Sequence, residues 1–165
     1  MKVERTLRHE IAAPEVFRML CTQAFQERKC EDAGALSWQV EVTETSDGAI
    51  VRTTRRMPTD DFPALLRKFV PHGVTSTETI TWGPEQADGS RLGELHVAIH
   101  GVPAKMSGTV VLRAAGDGTE IVVDAEFTAH LPVVRRKIES ASVPIILQVI
   151  EAEVQTGQSW AAGVH

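Results

Sequence analysis

The sequence contains few of the residues that mark common catalytic, cofactor and metal sites. Its 165 residues include two cysteines, Cys21 and Cys30, which are too few for a disulfide framework and lack the spacing of a zinc ribbon. We expect both to be buried free thiols. Tyrosine is absent, so a phenolic acid is unavailable for catalysis. Neither glycine-rich phosphate motif, G-x-G-x-x-G or G-x-x-x-x-G-K-[ST], occurs, and we expect no nucleotide or other cofactor.

Positive charge and long apolar runs are also scarce. The formal net charge of −5 argues against a nucleic-acid partner, because phosphate-binding domains usually carry a clustered excess of Lys and Arg. The longest apolar stretch, residues 143–150, is interrupted by Gln148 and falls far short of the roughly 20 residues of a membrane span. The opening residues MKVERTLRHEI do not read as a signal peptide. We therefore expect a cytoplasmic protein without a membrane span.

His96 and His100 are the histidine pair that most resembles a metal motif. On a strand, four residues separate them by about 13 Å, whereas both ligands of a shared ion would have to lie about 2 Å from it. Their position opposite Leu95, Val97 and Ile99 predicts that they face solvent. The sequence therefore predicts no metal site.

Three Asp-Gly pairs are the strongest structural signals: Asp47-Gly48, Asp88-Gly89 and Asp117-Gly118. Each is flanked by residues rich in Val, Ile and Thr, and Asp-Gly is typical of tight hairpin turns. Apolar and polar residues alternate in the flanking runs, which predicts half-buried strands. Residues 3–11 add a seventh strand before the three hairpins.

Helical signals lie on either side of the hairpins. Ala13-Pro14-Glu15 favours a helix start, because Pro is tolerated and Glu is favoured in a first turn. Residues 133–160 have apolar side chains at helical spacing and no turn signal. Pro144 lies inside this long helix, where we expect a kink or a break near residue 143.

These elements predict an α+β helix-grip fold in one domain over residues 1–165. The sheet would be seven-stranded, curved and antiparallel. A sheet with one apolar face and a long helix with an apolar face bury each other most readily when the sheet wraps around the helix.

Three segments carry a resemblance to known proteins: KVERTLRHEIAAPEVFRML, TRRMPTDDFPALLRKFVP and the helix ending in EAEVQTGQSW. The order of elements resembles the START-like (SRPBCC) superfamily, which includes lipid-transfer domains, the birch-pollen allergen class and polyketide cyclases. The segments themselves look like the actinobacterial domain-of-unknown-function family 2505. The resemblance implies a cavity between the sheet and the terminal helix that holds lipids, sterols, hormones or aromatic polyketides, and it transfers no catalytic residue.

Some polar residues occupy strand positions whose side chains should point to the apolar face of the sheet. Arg5 and His9 share the phase of Leu7, and Arg55 and Glu78 also point inward. Because a buried charge is costly unless paired, Arg55 and Glu78 could form an internal ion pair that orients the polar end of a ligand. Alternatively, sheet curvature lets these side chains reach water.

The candidate ligand-binding residues combine this pair with apolar positions of the strands and the terminal helix. They are Trp38, Val40, Arg55, Glu78, Ile80, Trp82, Val97, Leu112, Phe127, Ile145 and Val149. Core packing explains the two tryptophans equally well. The segment beginning Asp60-Asp61-Phe62-Pro63 is either a connector with a short helix or a lid over the cavity.

The sequence therefore favours a non-catalytic carrier for a small hydrophobic or amphipathic molecule, lipid or polyketide-like. One alternative is a cyclase or aromatase in which His9, Arg5, Arg55 or Glu78 acts on such a ligand. The other is a protein-interaction module whose cavity is vestigial because the core is filled.

Overall fold

A single antiparallel sheet forms the body of the protein, and the computed structural model describes it within residues 1–163. Its strands are β1 (Lys2–His9), β2 (Ser37–Glu44), β3 (Ala49–Met57), β4 (Val74–Trp82), β5 (Arg91–Ile99), β6 (Ala104–Ala115) and β7 (Gly118–Ala129). They are arranged in the order β1-β7-β6-β5-β4-β3-β2, and every neighbouring pair is antiparallel. The predicted seven-stranded curved sheet is confirmed.

Four helices accompany the sheet in the described part of the chain: α1 (Ala13–Leu20), α2 (Gln23–Asp32), α3 (Ala64–Arg67) and α4 (Arg135–Ala161). The sequence predicted one helix after β1, whereas the structure has two. The chain turns at Cys21 and Thr22, and Gln26 Nε2 donates a hydrogen bond of 2.6 Å to the Leu20 carbonyl across this turn. α1 packs on β6 and β7, while α2 packs on β2 and α4.

Two of the three predicted turns lie at their Asp-Gly pairs, between β2 and β3 and between β4 and β5. The third is displaced by one residue. Ala115 pairs with Gly118, so the turn consists of Gly116 and Asp117, and Gly118 already belongs to β7. Gly116 has the positive φ, 61°, that a tight hairpin turn requires.

The long terminal helix α4 is confirmed, but Pro144 does not break it. The helix is continuous from Arg135 to Ala161 and begins after Val133, which is fully exposed with a left-handed φ of 72°. The buried carboxylate of Glu139 accepts hydrogen bonds from the Ala129 N–H (3.0 Å) and from Arg135 Nε (2.8 Å). These bonds fix the start of α4 to the end of β7.

The sheet and α4 enclose the apolar core between them. Val3, Leu112 and Phe127 of the sheet and Ile138 of α4 are almost completely buried. α4 packs on β1 and β7 at one edge of the sheet and on α2 and α3 elsewhere. No helix within residues 1–163 is long and apolar enough to cross a membrane.

Candidate functional site

A chamber of about 230 Å³ lies between the sheet and α4. Six of the candidate residues line it: Arg55, Glu78, Val97, Phe127, Ile145 and Val149. Phe62, Leu66 and Phe69, from the segment around α3, form another part of its wall. We call this the outer chamber; its wall reaches the protein surface at Phe69, which is 39% exposed.

A second chamber, of about 90 Å³, lies further along the sheet towards α2, and we call it the inner chamber. The candidate residues Ile80 and Trp82 line it, as does Glu78. Trp82 is 3% exposed, and its ring contacts that of Phe17 edge to face, with centroids 5.9 Å apart. Most of the remaining wall is aliphatic.

Three charged side chains meet between the sheet, α2 and α4. Glu153 of α4 lies 3.4 Å from Arg55 Nη2 through Oε1 and 3.0 Å from Lys29 Nζ through Oε2. The side chains of Arg55 and Lys29 are only 11% and 7% exposed. Lys29 also donates to Gln26 Oε1 at 3.2 Å. One carboxylate therefore pairs with two enclosed cations, and buried charges require such pairing.

The pKa values of the cluster reflect this mutual dependence. Burial alone would raise the pKa of Glu153, but Lys29 and then Arg55 outweigh burial and hold its pKa below 4.5. For Arg55, burial opposes the charged form, whereas Glu153 and then Glu78 favour it and raise its pKa. Both groups are ionised at neutral pH.

Arg55 and Glu78 share the inner face of neighbouring strands, but the predicted ion pair between them is wrong. Arg55 is opposite Ser76 and Glu78 is opposite Thr53 in the β3–β4 register, so the two residues are diagonal neighbours whose Cα atoms lie roughly 7–8 Å apart at that spacing. Glu153 approaches Arg55 instead. Among the described residues, the half-buried Glu78 carboxylate has no hydrogen bond or ion pair.

His9 is the inward histidine that the strand phase predicted. It is 5% exposed, lines the inner chamber, and its Nδ1 has no hydrogen-bond partner among the described residues. Burial lowers the pKa of His9, so the ring is neutral at neutral pH. Arg5, predicted to be inward as well, is exposed instead and lies 3.8 Å from Glu151 of α4. The end of α4 covers His9 but leaves Arg5 in solvent.

Three candidate residues line neither chamber: Trp38, Val40 and Leu112. Trp38 and Val40 belong to the edge strand β2, where α2 occupies the inner face. Val40 is buried, whereas Trp38 is 41% exposed. Leu112 is buried where α1 covers β6, and it borders a crevice beside Phe17. The two helices after β1 therefore fill the space that the strand pattern assigned to the cavity.

The two cysteines differ in burial, contrary to the expectation that both would be buried. Cys30 is buried, but Cys21 is only partly buried at the turn between α1 and α2. Burial raises the pKa of Cys21 to about 11, and burial also raises that of Cys30. Both are therefore thiols at neutral pH.

The strand and helix patterns did not identify Glu153, Lys29 and Met106 as site residues, although all three line one or both chambers. Glu153 had a usable signal, because it follows Ile145 and Val149 at intervals of four residues and so shares their face of α4. Met106 has the strand phase of Val110 and Leu112. No sequence signal pointed to Lys29, because its helix is mostly polar.

Solved structures with similar folds cover nearly the whole chain. TTHA0849 from Thermus thermophilus has a TM-score of 0.61 at 12% identity, over 94% of this chain and 96% of that one. Ara h 8.0201 has a TM-score of 0.56 at 15% identity, over 99% and 98%. The STAR-related lipid transfer protein fragment 25–204 from Xanthomonas axonopodis has a TM-score of 0.55 at 12% identity, over 92% and 84%. These likenesses show the helix-grip fold.

No curated protein matches the sequence. The family model described as "Protein of unknown function (DUF2505)" matches residues 4–161. This match extends from β1 to the end of α4. The chain therefore belongs to the DUF2505 family and has the helix-grip fold.

Proposed function

We propose that this protein is a non-catalytic carrier that encloses a small hydrophobic or amphipathic molecule, lipid or polyketide-like, between the sheet and α4. The observation that carries the proposal is the outer chamber of about 230 Å³. A well-packed core leaves few voids larger than a water molecule, whereas a mostly apolar cavity with a few polar groups is the usual form of a small-molecule site.

The segment around α3 is the proposed entrance. Phe62, Leu66 and Phe69 line the outer chamber, and α3 itself is only four residues long. The Thr59 hydroxyl donates a hydrogen bond of 2.7 Å to the Val70 carbonyl and so joins the two ends of the segment. Outward movement of this segment would admit a ligand without disturbing the sheet.

The similarity of the fold to that of a lipid transfer protein gives the carrier function additional support by analogy. The similar fold from Xanthomonas axonopodis is that of a protein described as a STAR-related lipid transfer protein, although fold alone does not determine function. The interaction-module alternative depended on a core filled by Trp38, Trp82, Phe127 and α4. Instead, Trp38 lies at the surface and Phe127 borders an open chamber.

Binding of an apolar fluorescent probe, N-phenyl-1-naphthylamine, tests the proposal. We expect the parent protein to bind it with a Kd of about 1 µM. Val97 borders the outer chamber, so Val97→Trp should fill the space and abolish binding. His96 is exposed on the opposite face of β5, and His96→Trp is the matched control that should leave binding unchanged.

Circular dichroism and thermal unfolding would establish that both variants are folded. Absence of probe binding by the parent, or unchanged binding by folded Val97→Trp, would contradict the carrier function and favour the interaction module. Native mass spectrometry of protein purified from its own host would complement the probe, because a retained small molecule would identify the natural cargo.

A further inference from the structure

The two chambers meet at a shared boundary. Glu78 of β4, Met106 of β6, and Ile150 and Glu153 of α4 line both of them. We call these four residues the waist. The outer chamber of about 230 Å³ lies on one side of the waist, and the inner chamber of about 90 Å³ lies on the other.

The charges of the cavity are concentrated at the waist. Glu153 accepts from Arg55 and Lys29, and Glu78 lies diagonally across from Arg55. Two cations and two carboxylates therefore balance one another. Glu78 receives no hydrogen bond from any described residue, and Arg55 makes one side-chain hydrogen bond, to Glu153, although a guanidinium has five N–H donors. An acceptor and several donors thus remain available.

Beyond the waist, both chambers are mainly apolar. The outer chamber continues to Phe62, Phe69 and Val102, and the inner chamber continues to Val110 and Ile121. The uncharged polar exceptions are His9 and Gln26 in the inner chamber and Ser76 and Ser142 in the outer one. The His9 ring is neutral because burial lowers its pKa. The charged groups therefore lie in the middle of the cavity and not at one end.

From this arrangement, and resting on the proposed carrier function, we propose that the cargo carries an uncharged hydrogen-bonding group in the interior of the molecule, between two apolar arms. A hydroxyl group fits the waist, because it can donate to Glu78 and accept from Arg55. The shorter arm occupies the inner chamber and the longer arm the outer one.

The four charges already balance, so a charged group on the ligand would leave one charge in excess in a poorly solvated site. A terminal hydroxyl at the waist would leave one chamber unfilled, and one placed deeper in either chamber would give up the charged partners of the waist. Met106 is unbranched and flexible, and rotation of its side chain would join the chambers around the bound group.

Two isomeric alcohols test this inference. 5-Tridecanol has a butyl and an octyl arm on either side of its hydroxyl group, whereas 1-tridecanol has the same atoms and a terminal hydroxyl. Competition against N-phenyl-1-naphthylamine should show about tenfold tighter binding of 5-tridecanol, which corresponds to about 1.4 kcal/mol. Glu78→Leu should remove this preference. Glu94→Leu, the same substitution at an exposed residue of β5 that lines neither chamber, should retain it.

Equal binding of the isomers, or tighter binding of 1-tridecanol, would overturn this inference and leave the carrier function standing. A preference for 5-tridecanol that survives Glu78→Leu would overturn the assignment to the waist. If the parent protein binds neither the probe nor either alcohol, the carrier function fails and this inference fails with it. The isomer comparison needs only the parent protein, so it remains decisive if Glu78→Leu does not fold.

Discussion

Gly157 of α4 lies directly against the His9 ring of β1: a Cβ atom at residue 157 would be 2.6 Å from His9 Cε1. Helix propensity alone predicts that Gly157→Ala stabilises the protein by about 1 kcal/mol. However, the added methyl group would overpack the buried His9 ring, which costs about 1–3 kcal/mol. We therefore expect a net loss of about 1 kcal/mol, measured as a lower urea midpoint with an unchanged m-value.

Ser159→Ala is the matched control for Gly157→Ala, because Ser159 is on the same helix and exposed. Its substitution should change the free energy of unfolding by less than about 0.5 kcal/mol. A Gly157→Ala protein more stable than the parent would show that α4 does not approach His9 as closely as described.

Removal of the Glu153 carboxylate should destabilise the protein strongly. Glu153→Gln leaves Lys29 and Arg55 enclosed without their shared anion. Breaking a buried pair costs about 3–5 kcal/mol, and because Glu153 is 21% exposed we expect about 2–3 kcal/mol at pH 7. Glu151→Gln is the control on the same helix, since Glu151 is 58% exposed and its removal should be nearly neutral.

The effect of Glu153→Gln should also depend on pH. The folded-state pKa of Glu153 lies below its ordinary value of 4.5, so its contribution is complete above pH 4.5 and is lost as the pH falls through the lowered pKa. Urea unfolding should therefore show that the free energies of unfolding of parent and variant differ by a constant amount near neutral pH. This difference should become smaller in acid. A difference that grows on acidification would contradict this sign.

Pro144 should lower the stability of α4 without being required for the fold. It is an exposed residue in a continuous helix, where Pro removes one backbone hydrogen bond and costs up to about 3 kcal/mol. Pro144→Ala should raise the free energy of unfolding by about 1–3 kcal/mol. Exposed Gln148→Ala, one turn later, should change it by less than about 0.5 kcal/mol.

Probe affinity gives a second measurement for Pro144→Ala. Ile145 and Val149, which follow Pro144, line the outer chamber. If Pro144 keeps this part of α4 away from the sheet, the variant should bind N-phenyl-1-naphthylamine more weakly while being more stable. A stable variant with unchanged affinity would show that packing of the chamber walls, and not the proline, keeps the chamber open.

The fold was largely predictable because its signals are local. Alternating residues such as Ile121, Val123 and Ala125 reveal strands by their period, and the Asp-Gly pairs separate them. The third pair was misplaced by one residue because Gly116 precedes it and supplies the positive φ itself. α2 was missed because its sequence, QAFQERKCED, has too few apolar residues to show a helical period.

The site was less predictable because it depends on which elements cover the sheet. Strand phase identified Val97 and Phe127 as inward, and both line the outer chamber. The same reasoning assigned Trp38 and Leu112 to the cavity, but phase does not reveal that α2 and α1 occupy those parts of the inner face. Likewise, the partner of Arg55 was sought on the neighbouring strand, whereas it comes from α4.

The position of β1 has a consequence for how the protein is made. β2 to β6 each pair with the next strand in sequence, but β1 pairs only with β7, as Val3 with Ala125. On the ribosome, β1 is synthesised before the other six strands and has no partner until β7 has followed them. Such distant pairings slow folding, and an unpaired strand in a partly folded chain promotes aggregation. Completion of the sheet by β1, and closure by α4, must therefore be late events in biosynthesis.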